Sequence, residues 1–146
     1  MSTREEDRVK TVMSSPVITM ESKGNFGSAA KIMVKNEIGS VVVVERKKPV
    51  GMVTERDITK QVIKGTGVLK KPVKSLLTKT LVTAPPDMPI QEALELMLMN
   101  KIRRLPVLEN DNLVGIVTEK DLMRWVLRVS YEPNVPKHIQ MVLNAK

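Results

Sequence analysis

The sequence predicts an α/β (α+β) fold built from two β-α-β-β-α repeats packed with pseudo-twofold symmetry. Three observations predict it. A shift of 64 residues aligns Val12–Ile58 with Leu76–Leu122 without a gap, and 13 of the 47 pairs are identical. Each half carries two short apolar runs, β-branched at Val41–Val44 and matched by Leu105–Leu108, flanked by segments with apolar residues at helical spacing. A chain of 146 residues holds one ordinary domain or two small ones. A repeat of about 60 residues is marginal alone, so each copy gains by packing on the other.

The elements follow in the same order in both copies. An extended piece opens each, Pro16–Met20 in the first and Thr80–Ala84 in the second. The first helix is clearest in the second copy, where Ile90, Ala93, Leu94, Met97 and Leu98 recur at helical spacing behind the start signals Asp87 and Pro89. Gly24-Asn25-Phe26-Gly27 is a poorer start for its counterpart. Met33, Met97 and Met123 lie on apolar helical faces and are expected in the core. The runs Val41–Val44 and Leu105–Leu108 predict strands, joined through turns at Arg46–Pro49 and Asn110–Asn112 to a second strand, Val50–Val53 or Val114–Val117. A second helix starts at Thr54 or Thr118 and runs through Ile58, Val62 and Ile63, or through Leu122, Trp125, Val126 and Leu127. Trp125 sits at a core-facing spacing. Pro133 and Pro136 mark a loop, after which Ile139, Val142 and Leu143 suggest a short terminal helix. The expected division is a first repeat at 9–67, a linker at 68–75, a second repeat at 76–129 and a C-terminal loop and helix at 130–146.

Composition narrows the function. Hydrophobic residues make up 42% and charged residues 27%, the balance of a folded globular chain. Aromatic residues are 2%, from Phe26, Trp125 and Tyr131. Cysteine is absent, which excludes thiol nucleophiles and cysteine-based metal sites, and His138 is the only histidine. No catalytic or metal-ligating set emerges. Without a long apolar run or a signal-like start, the chain reads as cytoplasmic with no membrane partner. The net charge is +8, which attracts anions of any kind. Residues 58–86 hold no Asp or Glu but carry Lys60, Lys64, Lys70, Lys71, Lys74 and Lys79. A solvated helix end and linker accounts for this run, and so does a nucleic-acid patch.

The densest repeat identity is Val50-Gly51-Met52-Val53-Thr54-Glu55-Arg56-Asp57 against Val114-Gly115-Ile116-Val117-Thr118-Glu119-Lys120-Asp121. It reduces to Gly-h-h-Thr-x-x-Asp, with h apolar, at a strand-to-helix junction. A Thr with an acid three residues later is a capping box, which starts a helix and needs no ligand. The same geometry suits a nucleotide. A helix N-terminus favours phosphate, a carboxylate one turn in accepts both hydroxyls of a ribose, and a Thr hydroxyl donates to ribose or phosphate oxygens.

With Ile102-Arg103-Arg104-Leu105-Pro106-Val107 added, the duplicated unit resembles a tandem pair of CBS (cystathionine β-synthase) domains, a Bateman module, over residues 9–128. The resemblance implies a stand-alone, non-catalytic regulatory module without a cofactor. It implies binding of an adenosine-containing ligand (AMP, ADP, ATP or S-adenosylmethionine) in the cleft between repeats, conformational signalling to a regulated protein, and a homodimer. Carried over by position, the ribose acids fall on Asp57 and Asp121 and the junction hydroxyls on Thr54 and Thr118. The adenine-lining residues fall near Ile18, Ile38, Val82 and Ile102, and the phosphate-binding basic residues on Arg103 and Arg104. The first copy has Gly39 and Ser40 where the arginines stand, which implies one good nucleotide site and one weak or empty one. Such pairs also occur within inosine-monophosphate dehydrogenase, but a catalytic barrel of about 250 residues does not fit this chain. A ligand-free dimerisation scaffold is the alternative, as is a nucleic-acid-binding protein using the basic 60–79 stretch.

Overall fold

The computed structural model describes residues 4–77 and 80–145, so Lys79 of the basic stretch lies outside the described residues. Two compact units divide the chain, and their boundaries cut across the sequence repeats. The first-repeat unit comprises 16–82 with 110–113, and the second-repeat unit comprises 1–15, 83–109 and 114–146.

In the first-repeat unit the order is β1 (Thr19–Glu21), α1 (Phe26–Asn36), β2 (Ser40–Glu45), β3 (Lys48–Thr54) and α2 (Glu55–Val62). β2 is central, parallel to β1 and antiparallel to β3. That placement explains its unbroken run of valines: Val41, Val42 and Val43 are fully buried, as a strand covered on both faces requires. Met20, Phe26, Ala29, Met33, Val41, Val43, Val53 and Val73 form the core. The expected linker is part of this unit. Its 3-10 turns at Thr66–Lys70 and Val73–Leu76 carry Val68 and Val73 into the interior.

In the second-repeat unit α3 (Ile90–Asn100), β4 (Arg104–Glu109), β5 (Asn112–Thr118, in this unit from Val114) and α4 (Glu119–Tyr131) repeat the order, and α5 (Lys137–Asn144) packs along α4 with Ile139 buried. The opening piece Thr80–Ala84 forms no strand; only Ala84 bridges Val107 in parallel. The N-terminal segment instead serves this unit. Ser14 bridges Ile116 through two backbone bonds of 2.9 and 3.0 Å, Val9 is fully buried, and the Trp125 indole donates to Asp7 Oδ1 at 2.9 Å.

Other expectations need correction. The first helix is the better capped of the pair, because Asn25 Oδ1 accepts from Ser28 N at 2.8 Å, whereas Pro89 offers α3 no side-chain cap. Each hairpin turn is two residues, Arg46-Lys47 and Asn110-Asp111, all at positive φ, so the following strand starts earlier than its apolar run. Met33 and Met97 are buried, but Met123, Leu98, Val62 and Ile63 are exposed. Helical spacing shows that residues share a face but not whether that face is covered. Among the described residues no helix is long and apolar enough to cross a membrane.

Candidate functional site

The repeated motif forms the same structure twice. β3 ends at Thr54, the N-cap of α2, and β5 ends at Thr118, the N-cap of α4. The Thr54 amide donates to Asp57 Oδ2 at 2.8 Å and its hydroxyl donates to the same oxygen at 2.9 Å, while the Asp57 amide donates to Thr54 Oγ1 at 3.3 Å. Thr118 and Asp121 reproduce all three bonds at 2.8, 2.9 and 3.3 Å. Both are full capping boxes. They differ from the sequence reading in one respect: each Thr hydroxyl proton is spent on its own Asp, leaving the oxygen a lone pair to accept with. Among the described residues neither Asp57 Oδ1 nor Asp121 Oδ1 takes part in a hydrogen bond. Each carboxylate is therefore fixed through one oxygen and open at the other.

The glycine of the motif has a packing role. Neither Gly51 nor Gly115 has positive φ, but a Cβ at Gly51 would overlap the Leu77 side chain, and one at Gly115 the Met13 side chain. Leu77 and Met13 are themselves 64 residues apart. The segment preceding one repeat thus lies over the motif strand of the unit it packs in.

The adjoining residues arrive through the helix before. Ile38 N donates to Met33 O and Ile102 N to Met97 O, both at 3.0 Å, behind left-handed Glu37 and Lys101. This is the Schellman ending, whose last residue is usually apolar and packs back on the helix. Ile38 does pack on the first-repeat core. The next residue meets the following helix: Gly39 O accepts the Glu55 amide at 3.1 Å, and Arg103 O accepts the Glu119 amide at 2.9 Å. Ile102, Arg103, Thr118 and Asp121 are thereby gathered at the α4 N-terminus, as Ile38, Gly39, Thr54 and Asp57 are at that of α2. The Arg103 side chain is 75% exposed, with Nε 3.9 Å from Glu119 Oε1. Glu119 was not among the sequence candidates; its repeat identity with Glu55 was its only signal. Arg104 is half-buried as the first residue of β4. Ile18, 37% exposed, precedes β1 at the sheet end where Ser40 pairs with Thr54. Val82 is half-buried and belongs to the first-repeat unit, so it is not gathered with Thr118 and Asp121 in one unit. Among the described residues no three His, Asp or Glu side chains cluster to hold a metal.

Fold and site together define a duplicated α-β-β-α module, opened by a strand in the first repeat and by a single bridge in the second, that holds a half-free carboxylate at each motif junction. The CBS domain family model matches residues 9–64 and 73–128. The chain belongs to the CBS-domain family. It is similar to the CBS domain-containing protein YhcV of Bacillus subtilis, 35% identical over 114 residues covering 78% of this chain and 81% of that one. It is 36% identical over 115 residues to the inosine-5'-monophosphate dehydrogenase of Methanocaldococcus jannaschii, covering 77% of this chain but 22% of that enzyme. Among solved structures it resembles the CBS domain pair of protein MJ0100 in complex with 5'-methylthioadenosine and S-adenosyl-L-methionine, with TM-score 0.75 and 32% identity over 82% of this chain and 94% of that one.

Proposed function

We propose that this chain is a non-catalytic regulatory module that binds an adenosine-containing ligand and passes its occupancy to a partner protein by a change in packing. Asp57 and Asp121 accept ribose hydroxyls, Thr54 and Thr118 hold those carboxylates in place, and Arg103 with Arg104 meets phosphate or carboxylate groups. Ile18, Ile38, Val82 and Ile102 supply apolar contact for the base. The observation that carries the reading is the free Oδ1 on a carboxylate already fixed through Oδ2. A group held in its binding orientation loses little entropy when a ligand arrives. The MJ0100 pair, with its bound adenosyl ligands, supports the same ligand class. The two half-sites are not equivalent in this reading, since Gly39 and buried Ser40 stand where the second repeat has arginines. Assembly as a homodimer through the helices belongs to the reading as well; Leu98, Met99, Met123 and Val126 leave exposed apolar surface on α3 and α4.

Calorimetric titration with AMP, ADP, ATP, S-adenosylmethionine and 5'-methylthioadenosine tests the proposal, with sedimentation before and after ligand reporting the dimer. Asp57→Ala and Asp121→Ala are each expected to cost about 0.5–2 kcal/mol of stability, the usual loss of a cap. One of them is also expected to abolish saturable binding while the chain stays folded. Loss of stability with unchanged binding, or no heat with any of the five ligands, leaves the capping box as a purely structural device.

A further inference from the structure

The net charge of +8 is almost wholly on one unit. The first-repeat unit holds 13 Lys and Arg against 6 Asp and Glu, a net of +7, and the second-repeat unit 11 against 10, a net of +1. Part of the excess, Lys23, Lys60, Lys64, Lys70 and Lys71, lies where α1, α2 and the turn at Thr66–Lys70 pack on one another, while Arg46, Lys47 and Lys48 stand at the hairpin turn. Lys70 and Lys71 adjoin the start of α1, for the Phe26 amide donates to Lys71 O at 3.1 Å and Asn25 bridges Pro72. Lys23 enters the same edge, since Gly24 O accepts from Val73 N at 2.9 Å. Lys60 and Lys64 stand one turn apart along α2 and its end. The first turn of α1 has no acid to offset them. Among the described residues, Lys74 is the one lysine of this edge with a carboxylate within 4 Å, that of Glu45 at 3.0 Å.

The duplication provides an internal control. Lys23 and Lys31 of the first repeat occupy the places of Asp87 and Glu95 in the second. The helix forms with either sign at these two places, so its folding does not require Lys23 or Lys31. Lysine presents a compact point charge suited to phosphate without base selection. Phe26, the aromatic residue of this unit, is fully buried, which removes the stacking platform that single strands need.

We propose that the lysine edge of the first-repeat unit is a docking surface for the phosphate backbone of double-stranded nucleic acid, bound without sequence preference. The test is fluorescence anisotropy of a labelled 20-base-pair duplex titrated with the full chain at several salt concentrations. Two double variants with equal charge change are compared, Lys70→Glu/Lys71→Glu on this edge and Lys101→Glu/Lys137→Glu on the second-repeat unit. The first pair is expected to weaken binding roughly tenfold and to flatten the salt slope by about 1.8, two contacts at ~0.9 each, while the second changes the slope little. Lys60→Glu/Lys64→Glu serves if the first pair unfolds. Equal weakening by both pairs would mean that only net charge matters, and would overturn the proposal. So would absence of duplex binding, or binding to anionic phosphatidylserine vesicles that duplex does not compete away.

Discussion

At the residue scale, identities between repeats mark the positions where backbone geometry is demanding. Asn36 and Asn100 each donate from Nδ2 to the carbonyl four residues back, at 2.8 Å in both helices. Met33 and Met97 are buried and supply the carbonyls that Ile38 and Ile102 close upon. These pairs look like scattered coincidences in sequence and become one device, the helix ending, in three dimensions. The device is imperfect: Glu37 holds φ 52° without being glycine, and it sets an acid at the negative end of α1. Glu37→Gly is expected to raise stability by about 0.5–1 kcal/mol in urea unfolding. The candidate acids were legible because Thr-x-x-Asp is a local pattern. What the Thr hydroxyl bonds to was not, since a three-residue spacing serves a cap and a ligand alike.

At the element scale, the structure turns on which segment covers which strand. β2 and β4 were readable as apolar runs. The bridge of Ser14 to Ile116 and the fit of Met13 over Gly115 were not, because they join residues about a hundred positions apart. Gly115→Ala is expected to destabilise by about 1–3 kcal/mol, the cost of forcing a methyl into a filled space. Met13→Ala in the same chain should relieve part of that cost, so a double-mutant cycle is expected to be less than additive. Strict additivity would mean that Met13 does not fill the space above the glycine. The 3-10 turns of residues 66–76 make a similar point. They carry the lysines that suggested a solvated linker, yet bury Val68 and Val73 between them.

At the scale of the whole molecule, the N-terminal segment is tied into the second-repeat unit by backbone, apolar and ionic contacts together. Val9 N and Lys10 N donate to Met88 O and Pro86 O, both at 2.9 Å, and Lys10 Nζ meets Asp87 Oδ1 at 2.9 Å. The hydrogen bond and charge of Lys10 hold the Asp87 carboxyl below its ordinary range, and Asp87 in turn raises Lys10. A depressed carboxylate contributes its stability above the unfolded-state pKa of about 3.9 and loses it as pH falls through the lower folded value. Asp87→Asn is therefore expected to be the less stable chain near neutral pH, with the gap closing below about pH 4 in acid-dependent thermal unfolding. The effect is expected to be small, as both partners are exposed and screened.

The sequence by itself determined the duplication, the element order apart from the opening strand of the second repeat, the two motif acids and the placement of charge along the chain. All of these depend on spacings within a few residues or on a single exact offset between copies, and local physics expresses both. Only the tertiary structure decided that residues 4–15 serve the second repeat, that the linker belongs to the first, and that the motif glycines make room for Leu77 and Met13. It also decided which apolar helical positions face solvent. Each of these outcomes depends on the volume available between segments distant in sequence, and periodicity carries no information about that volume.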